Sequence, residues 1–292
     1  MKILFQNYAT ENSTEATYLA QCLSMVDGVD CDLWSNPNVS TYDVLDSYKP
    51  DLVATHYRFV TTDLIKYISS NPSSSPELIL NVTGATPEEA ESIEGLEGSG
   101  VKIRLAFTNS TVKEKFKKIQ LKGIYPAADI FLTRKPQQPA HPLGILNDGD
   151  TDTVTKAVQK NSKYHLLSLE KGDHSDMQTN VGMLHDLYCF YERFVIAGSL
   201  PLVTSQIFFD SCLSCHKVDI LPDEKSLEGF NNFLSKVFQE PSDTSEDLGQ
   251  QLKKQILAKH TPFNRAERLM RFLNHDQAVK NLQKLKNDVV KH

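Results

Sequence analysis

Apolar positions in the first half of the chain come in short blocks that alternate in period. Lys2–Phe5 is a compact apolar run, and Ser13–Met25 has helical apolar spacing with Ser13 as its N-cap. The pattern repeats. Cys31–Trp34 reads as a strand and Asp43–Tyr48 as a short helix; Leu52–His56 is a strand, followed by a helix through Leu64, Ile65, Tyr67 and Ile68. Leu78–Val82 is a buried-type strand ending at Thr83-Gly84-Ala85, and Pro87 suits the first turn of the acidic helix after it. Val101–Phe107 is a further strand, and Thr111–Gln120 reads as a lysine-rich helix. Strands separated by helices pair in parallel through right-handed crossovers.

Residues Arg134–Pro142 interrupt this rhythm with three prolines in seven residues, the composition of a stiff linker. Alternation then resumes. Strands are expected at Leu143–Leu146, Tyr164–Leu169, Phe194–Ala197 and Val218–Leu221. Helices are expected at Thr153–Gln159, Val181–Phe190 and Gln206–Cys215. From Leu227 the chain reads as helices, broken at Glu240–Glu246. The expected fold class is α/β: two Rossmann-like domains facing across a cleft, with extra C-terminal helices. The expected domains are 1–135, 136–255 and a helical segment 256–292.

Composition narrows the class further. The 292 residues are 40% hydrophobic, which suits folded cores, and the net charge of −6 gives no global attraction to nucleic acid or anionic membrane. No apolar run approaches the roughly 20 residues that span a bilayer. Met1–Phe5 runs straight into polar residues, so the expectation is a soluble, cytoplasmic protein. Five dispersed cysteines point to reduced thiols. Cys212-Leu213-Ser214-Cys215-His216 has the spacing of a haem-attachment motif, but a small-residue helix face packed on a sheet explains it better; no metal site is expected.

In parallel sheets ligands gather at the C-terminal tips of strands. His56 stands at such a tip, where an imidazole could accept a proton from an attacking hydroxyl; the competing reading is a histidine that caps a loop. Asn7 and Thr10 follow the first strand, Arg58 follows His56, and Thr83 and Gly84 follow the Leu78–Val82 strand. Lys171 and Gly172 follow the Tyr164–Leu169 strand, and Arg193 flanks another; both cations suit a diphosphate. Asp210 could accept hydrogen bonds from ribose hydroxyls. Lys113, Lys117 and Lys118, with Arg265 and Arg268 on a late helix, form basic clusters that could line a nucleic-acid groove, although a solvated helix face is the default.

Three stretches together resemble the GT-B nucleotide-sugar glycosyltransferases. They are Lys49-Pro50-Asp51-Leu52-Val53-Ala54-Thr55-His56; Phe107-Thr108-Asn109-Ser110 with Gly123-Ile124-Tyr125-Pro126-Ala127-Ala128-Asp129; and Tyr188–Arg193 with Leu200-Pro201 and Phe208-Phe209-Asp210. The resemblance implies a nucleoside-diphosphate sugar as donor, no other cofactor, and transfer of the sugar to an acceptor hydroxyl. It also implies His56 as catalytic base, a donor site at Lys171, Gly172, Arg193 and Asp210, and last helices that return to the N-terminal domain. The family's pair of glutamates separated by seven residues is absent, and Gln6-Asn7-Tyr8-Ala9-Thr10 replaces its glycine-rich turn. Viral (phage) DNA-modifying members diverge in the same ways, which makes a hydroxymethylated DNA base one acceptor to consider. Two other readings stay open at this point: a non-catalytic nucleotide- or sugar-binding protein, and a sugar-phosphate epimerase on paired Rossmann domains.

Overall fold

The structure is a computed structural model that describes residues 1–6, 13–70, 74–107, 110–124, 130, 141–147, 164–168, 191–198, 213, 217–222 and 253–290. It divides into two compact units, one made of Met1–Tyr125 with Pro262–His292 and the other of Pro126–Thr261.

The first unit is built on a six-stranded parallel sheet. Its strands are β1 (Lys2–Gln6), β2 (Asp30–Trp34), β3 (Leu52–His56), β4 (Glu77–Asn81), β5 (Ile103–Phe107) and β6 (Leu121–Gly123), in the order β2-β1-β3-β4-β5-β6. Helices α1 (Ser13–Ser24), α2 (Thr41–Tyr48), α3 (Thr62–Ser70) and α4 (Pro87–Glu97) form the crossovers. Successive strand residues point to opposite faces. Leu4, Val53, Leu78, Leu80 and Leu105 accordingly share one core cluster with Leu45 of α2, Leu64 and Ile68 of α3, and Ala90 and Ile93 of α4. Ile3 and Phe5, the out-of-phase neighbours of Leu4, are just as buried. The sheet is therefore covered on both sides, as the near-continuous apolar strands require.

The last helices, α5 (Pro262–Phe272) and α6 (Asp276–Val290), belong to this same unit. α5 packs on α1 and α6, burying Phe263, Ala266, Leu269 and Met270. Arg104 of β5 fixes the return. Its Nε donates to Glu77 at 2.6 Å, and its Nη1 donates at 2.5 Å to the Phe272 carbonyl at the end of α5, 168 positions away. Between the two helices Asn274 adopts φ 57°, which asparagine tolerates. The bonds His275 N–H to Met270 C=O (2.9 Å) and Asn274 N–H to Arg271 C=O (3.1 Å) close α5 with a Schellman turn.

The Lys49-Pro50-Asp51 stretch sets the register of the central strands. Lys49 ends α2 in the left-handed region (φ 51°), with its N–H on the Leu45 carbonyl. The Asp51 carboxylate accepts the Lys2 N–H at 2.7 Å, while the Asp51 backbone bonds to Lys2 on one side and Glu77 on the other. β3 is thus locked between β1 and β4 before its first residue.

The lysine-rich segment departs from expectation. In place of a helix over Thr111–Gln120, a 3-10 helix covers Ser110–Lys115 and the chain then turns into β6. The cause is Glu94 of α4, only 9% exposed, whose Oε1 accepts the N–H groups of Lys117 (2.7 Å), Lys118 (2.6 Å) and Ile119 (3.3 Å). Those donors would have closed the last helical turn; the carboxylate takes them instead.

The second unit holds a four-stranded parallel sheet of β7 (His141–Asn147), β8 (Tyr164–Ser168), β9 (Tyr191–Gly198) and β10 (Lys217–Pro222), ordered β10-β9-β7-β8. The proline-rich stretch runs into this sheet: Pro142 lies within β7, and the compact units divide earlier, between Tyr125 and Pro126. The expected helices at 153–159, 181–190 and most of 206–215 lie outside the described residues. Leu213 is helical and buried. Residues 253–259 are helical. Among the described residues no helix is long and apolar enough to cross a membrane.

Two stability measurements test these assignments. Lys49→Gly removes a side chain from a left-handed position and should raise stability by about 0.5–1 kcal/mol in urea titrations. Glu94→Ala leaves three backbone donors without their carboxylate and should cost about 1–3 kcal/mol near pH 7. Burial pushes the Glu94 carboxyl up, but the N–H groups of Lys118, Lys117 and Ile119 outweigh burial and hold its pKa below the ordinary 4.5. A depressed folded-state pKa stabilises above the unfolded value and loses that contribution as pH falls through the folded one. The gap between wild type and Glu94→Ala should therefore narrow on acidification below about pH 4.5. A gap independent of pH would show that the carboxylate's charge is not what holds the turn.

Candidate functional site

The strand order of the first unit reverses direction between β1 and β3. The crevice of a doubly wound sheet opens outside the C-terminal ends of the strands at such a point. The tips there are Gln6 and His56, with Asn81 at the end of β4 beside His56. Below them Thr55 and Gln6, each 5% exposed, are joined by a hydrogen bond of 2.5 Å from the threonine hydroxyl to the glutamine Oε1. This polar pair ties β1 to β3 at the place where the parallel ladder ends.

His56 is half-buried, and both of its ring nitrogens are engaged. Nδ1 lies 3.3 Å from the Arg58 backbone N–H, and Nε2 lies 3.2 Å from the Thr83 carbonyl. A backbone amide only donates, so Nδ1 must be the acceptor. The ring proton is then on Nε2 and is given to Thr83. The imidazole caps the short 3-10 helix Tyr57–Phe59 and stitches β3 to the turn after β4. These two bonds describe a histidine that caps a loop, the competing reading of this strand-tip residue.

The turn after β4 is built from short-range bonds. Asn81 Oδ1 accepts the Thr83 N–H at 3.0 Å, Gly84 has φ +81°, and the Ala85 carbonyl accepts Lys115 Nζ at 2.7 Å. α4 starts next with a capping box: the Thr86 hydroxyl accepts the Glu89 N–H, and the Glu89 carboxylate accepts the Thr86 N–H at 2.7 Å. Glu89 Oε2 also accepts the Tyr57 hydroxyl at 2.9 Å, and that hydroxyl accepts Arg58 Nε at 2.9 Å. Arg58 lies over the Tyr57 ring, 5.5 Å from its centre. Burial raises the Tyr57 pKa, so the hydroxyl stays a donor; the Thr86 N–H and then the Tyr57 hydroxyl hold Glu89 low, so it stays an acceptor. Arg58, Tyr57, Glu89 and Thr86 thus form one chain of donors and acceptors alongside the His56–Thr83 link.

The structure brings His56, Arg58, Thr83 and Gly84 together on one rim. Sequence reading had not singled out Gln6, Thr55, Tyr57, Asn81 or Glu89 as members of it. Only Glu89 carried a signal, the Thr86-x-x-Glu89 spacing of a capping box. Asn7, Thr10, Lys171, Gly172 and Asp210 lie outside the described residues. Arg193 is placed, but far from the corresponding rim of the second sheet. It pairs with Leu143 and Lys217, five residues before Gly198 at the end of β9, about 16 Å away at the rise of a strand.

The basic clusters are also partly consumed. Arg265 is buried at 6% exposure, and Arg268 Nη1 donates to the Gly123 carbonyl at 3.1 Å, pinning α5 to β6. Arg268 is half-buried, while Lys113, Lys117 and Lys118 are exposed.

No protein-family model matches this chain, and no curated protein does. Solved structures do. A glycosyltransferase from Rickettsia africae ESF-5 is similar over 100% of this chain and 99% of its own, with a TM-score of 0.53 at 8% sequence identity. The S. aureus MnaA–UDP co-structure aligns over 96% and 97% with a TM-score of 0.48 at 9% identity. The glycosyltransferase VinC in complex with dTDP aligns over 100% of both chains, with a TM-score of 0.44 at 10% identity. The fold is of the GT-B type.

Gly84 offers a test of the rim's backbone. A Cβ there would meet no atom within 4 Å, so the positive φ alone resists substitution. Gly84→Ala should lower stability by about 1 kcal/mol with the fold intact by circular dichroism. An unchanged melting curve would show that the turn relaxes out of its left-handed conformation.

Proposed function

We propose that this protein is a glycosyltransferase that moves a sugar from a nucleoside-diphosphate donor to an acceptor hydroxyl. The observation that carries the reading is the likeness of fold, along the whole chain, to a glycosyltransferase of nearly equal coverage. Two features of the chain support it. Both sheets are parallel and reverse strand order beside their first strand, so each has its own crevice at the C-terminal tips. Of the residues that the family resemblance assigns to ligands, His56 stands at such a tip, and Lys171, Gly172 and Asp210 follow one in sequence.

In this reading the donor occupies the second unit, outside the ends of β7 and β9 at Asn147 and Gly198. Lys171 and Gly172, soon after β8, serve the diphosphate, on which negative charge develops as the sugar leaves. Asp210 accepts from the ribose. Arg193 is left out because of its position along β9. The rim of the first unit, with His56, Arg58, Thr83 and Gly84, serves the acceptor side. A hydroxymethylated DNA base as acceptor would draw on Lys113, Lys117 and Lys118 without Arg265 and Arg268.

The test is a thermal-shift screen with UDP and dTDP, followed by assays for nucleoside diphosphate released from matching sugar donors. A ligand at 100 times its dissociation constant should stabilise the protein by about 2.7 kcal/mol. Asp210→Ala should weaken that ligand by about 1–3 kcal/mol in calorimetry, since ribose hydroxyls lose a partner. Binding without release would favour a silent binding protein, and a rearranged sugar an epimerase. No shift with any nucleoside diphosphate would overturn the proposal.

A further inference from the structure

We propose that His56 is a positioning residue that works as a neutral clamp, holding two turns of the acceptor rim in fixed register. The inference rests on the functional reading above for what the rim does. Its geometric content stands on hydrogen bonds alone.

The ring sits between two segments that lie past the β3–β4 ladder. β3 ends at His56 and β4 at Asn81, so the backbone groups just beyond these residues are past the last parallel pairing, His56 with Asn81. On one side the Arg58 N–H, the first donor of the 3-10 turn, meets Nδ1 at 3.3 Å; on the other the Thr83 carbonyl meets Nε2 at 3.2 Å. A single planar ring therefore continues the sheet for one more step with side-chain atoms. Only one protonation state does this. Moving the proton to Nδ1 sets two donors face to face at Arg58 and leaves Nε2 facing a carbonyl with no proton between them. Adding a second proton has the same effect at Arg58.

The two turns so held carry the groups a ligand would meet. The Arg58 turn is anchored again through its side chain by Tyr57 and Glu89, with the Tyr57 ring 4.7 Å from the His56 ring. The Thr83 turn carries Gly84, exposed, with open space where its Cβ would be. Arg58 and Gly84 are thus held in place across the His56 ring, and loss of the ring frees each turn to move against the other.

Amide side chains separate a clamp from a base. In His56→Asn the Oδ1 stands where Nδ1 stood and can accept the Arg58 N–H; in His56→Gln the amide reaches towards Thr83. Neither can take up a proton from an acceptor. With a donor and acceptor identified, a clamp predicts that Asn or Gln keeps kcat within about tenfold of wild type. His56→Ala would lose more and raise the acceptor KM with donor affinity unchanged. Equal losses of about 10²–10⁴-fold in all three folded variants would identify a base and overturn the proposal. Full activity in all three would overturn it as well. Should the wild-type protein turn over no nucleotide sugar, the functional reading fails but the clamp is still measurable. Nitrogen-15 imidazole spectra, assigned through the signal lost in His56→Gln, should show a single tautomer protonated at Nε2. A mixture of tautomers, or protonation at Nδ1, would refute the clamp.

Discussion

A parallel sheet has no face it can leave to water, because its strands are apolar on both sides. In the first unit this constraint organises almost everything else. The helices that follow β2, β3 and β4 lay Leu45, Leu64, Ile68, Ala90 and Ile93 on one face. The other face has α1 close by in sequence, and α1 alone does not finish the cover: α5 packs beside it, brought from the far end of the chain. Burying Phe263 and Leu269 supplies much of the driving force, at roughly 1.5–3 kcal/mol for each fully buried large side chain. Direction comes from polar groups. Arg104 takes the last carbonyl of α5, and Arg268 takes the carbonyl of Gly123 at the sheet edge.

Where the ladder stops, the same need to satisfy backbone groups shapes the rim. The Asp51 carboxylate answers Lys2 at the start of the sheet, Gln6 and Thr55 answer each other at the end of β1 and β3, and His56 answers Arg58 and Thr83 beyond that. Glu94 does the same for the segment leading into β6. Each is a polar residue that sequence patterns treat as a surface or catalytic group. Each serves first as a partner for an N–H or C=O that secondary structure leaves over, because an unpaired buried backbone group costs as much as a lost hydrogen bond. A histidine at a strand tip is thus ambiguous by nature: the position that exposes it to a ligand also exposes it to unpaired backbone.

Much of the fold was legible in the sequence. The period of the apolar positions located every described strand of both sheets except the short β6, and Pro87 marked the first turn of α4. Local patterning decides these because an apolar strand and a proline at the first turn are each stabilised by neighbours within a few residues. Contacts remote in sequence decided the rest. The helix expected over Thr111–Gln120 gave way to Glu94, a residue 23 positions before the first donor it captures. The arginines of α5 looked like a basic face until the fold buried Arg265 and turned Arg268 to Gly123. Arg193 was legible as a cation beside a strand, but only the register shows that it lies five residues before the end of β9. His56 was visible as a special residue, but its role depends on which atoms stand opposite each ring nitrogen. Sequence determined which residues are apolar, which turns are tight and where strands end. Tertiary structure alone decided which polar side chains are left for chemistry, because that is settled by backbone donors and acceptors arriving from elsewhere in the chain.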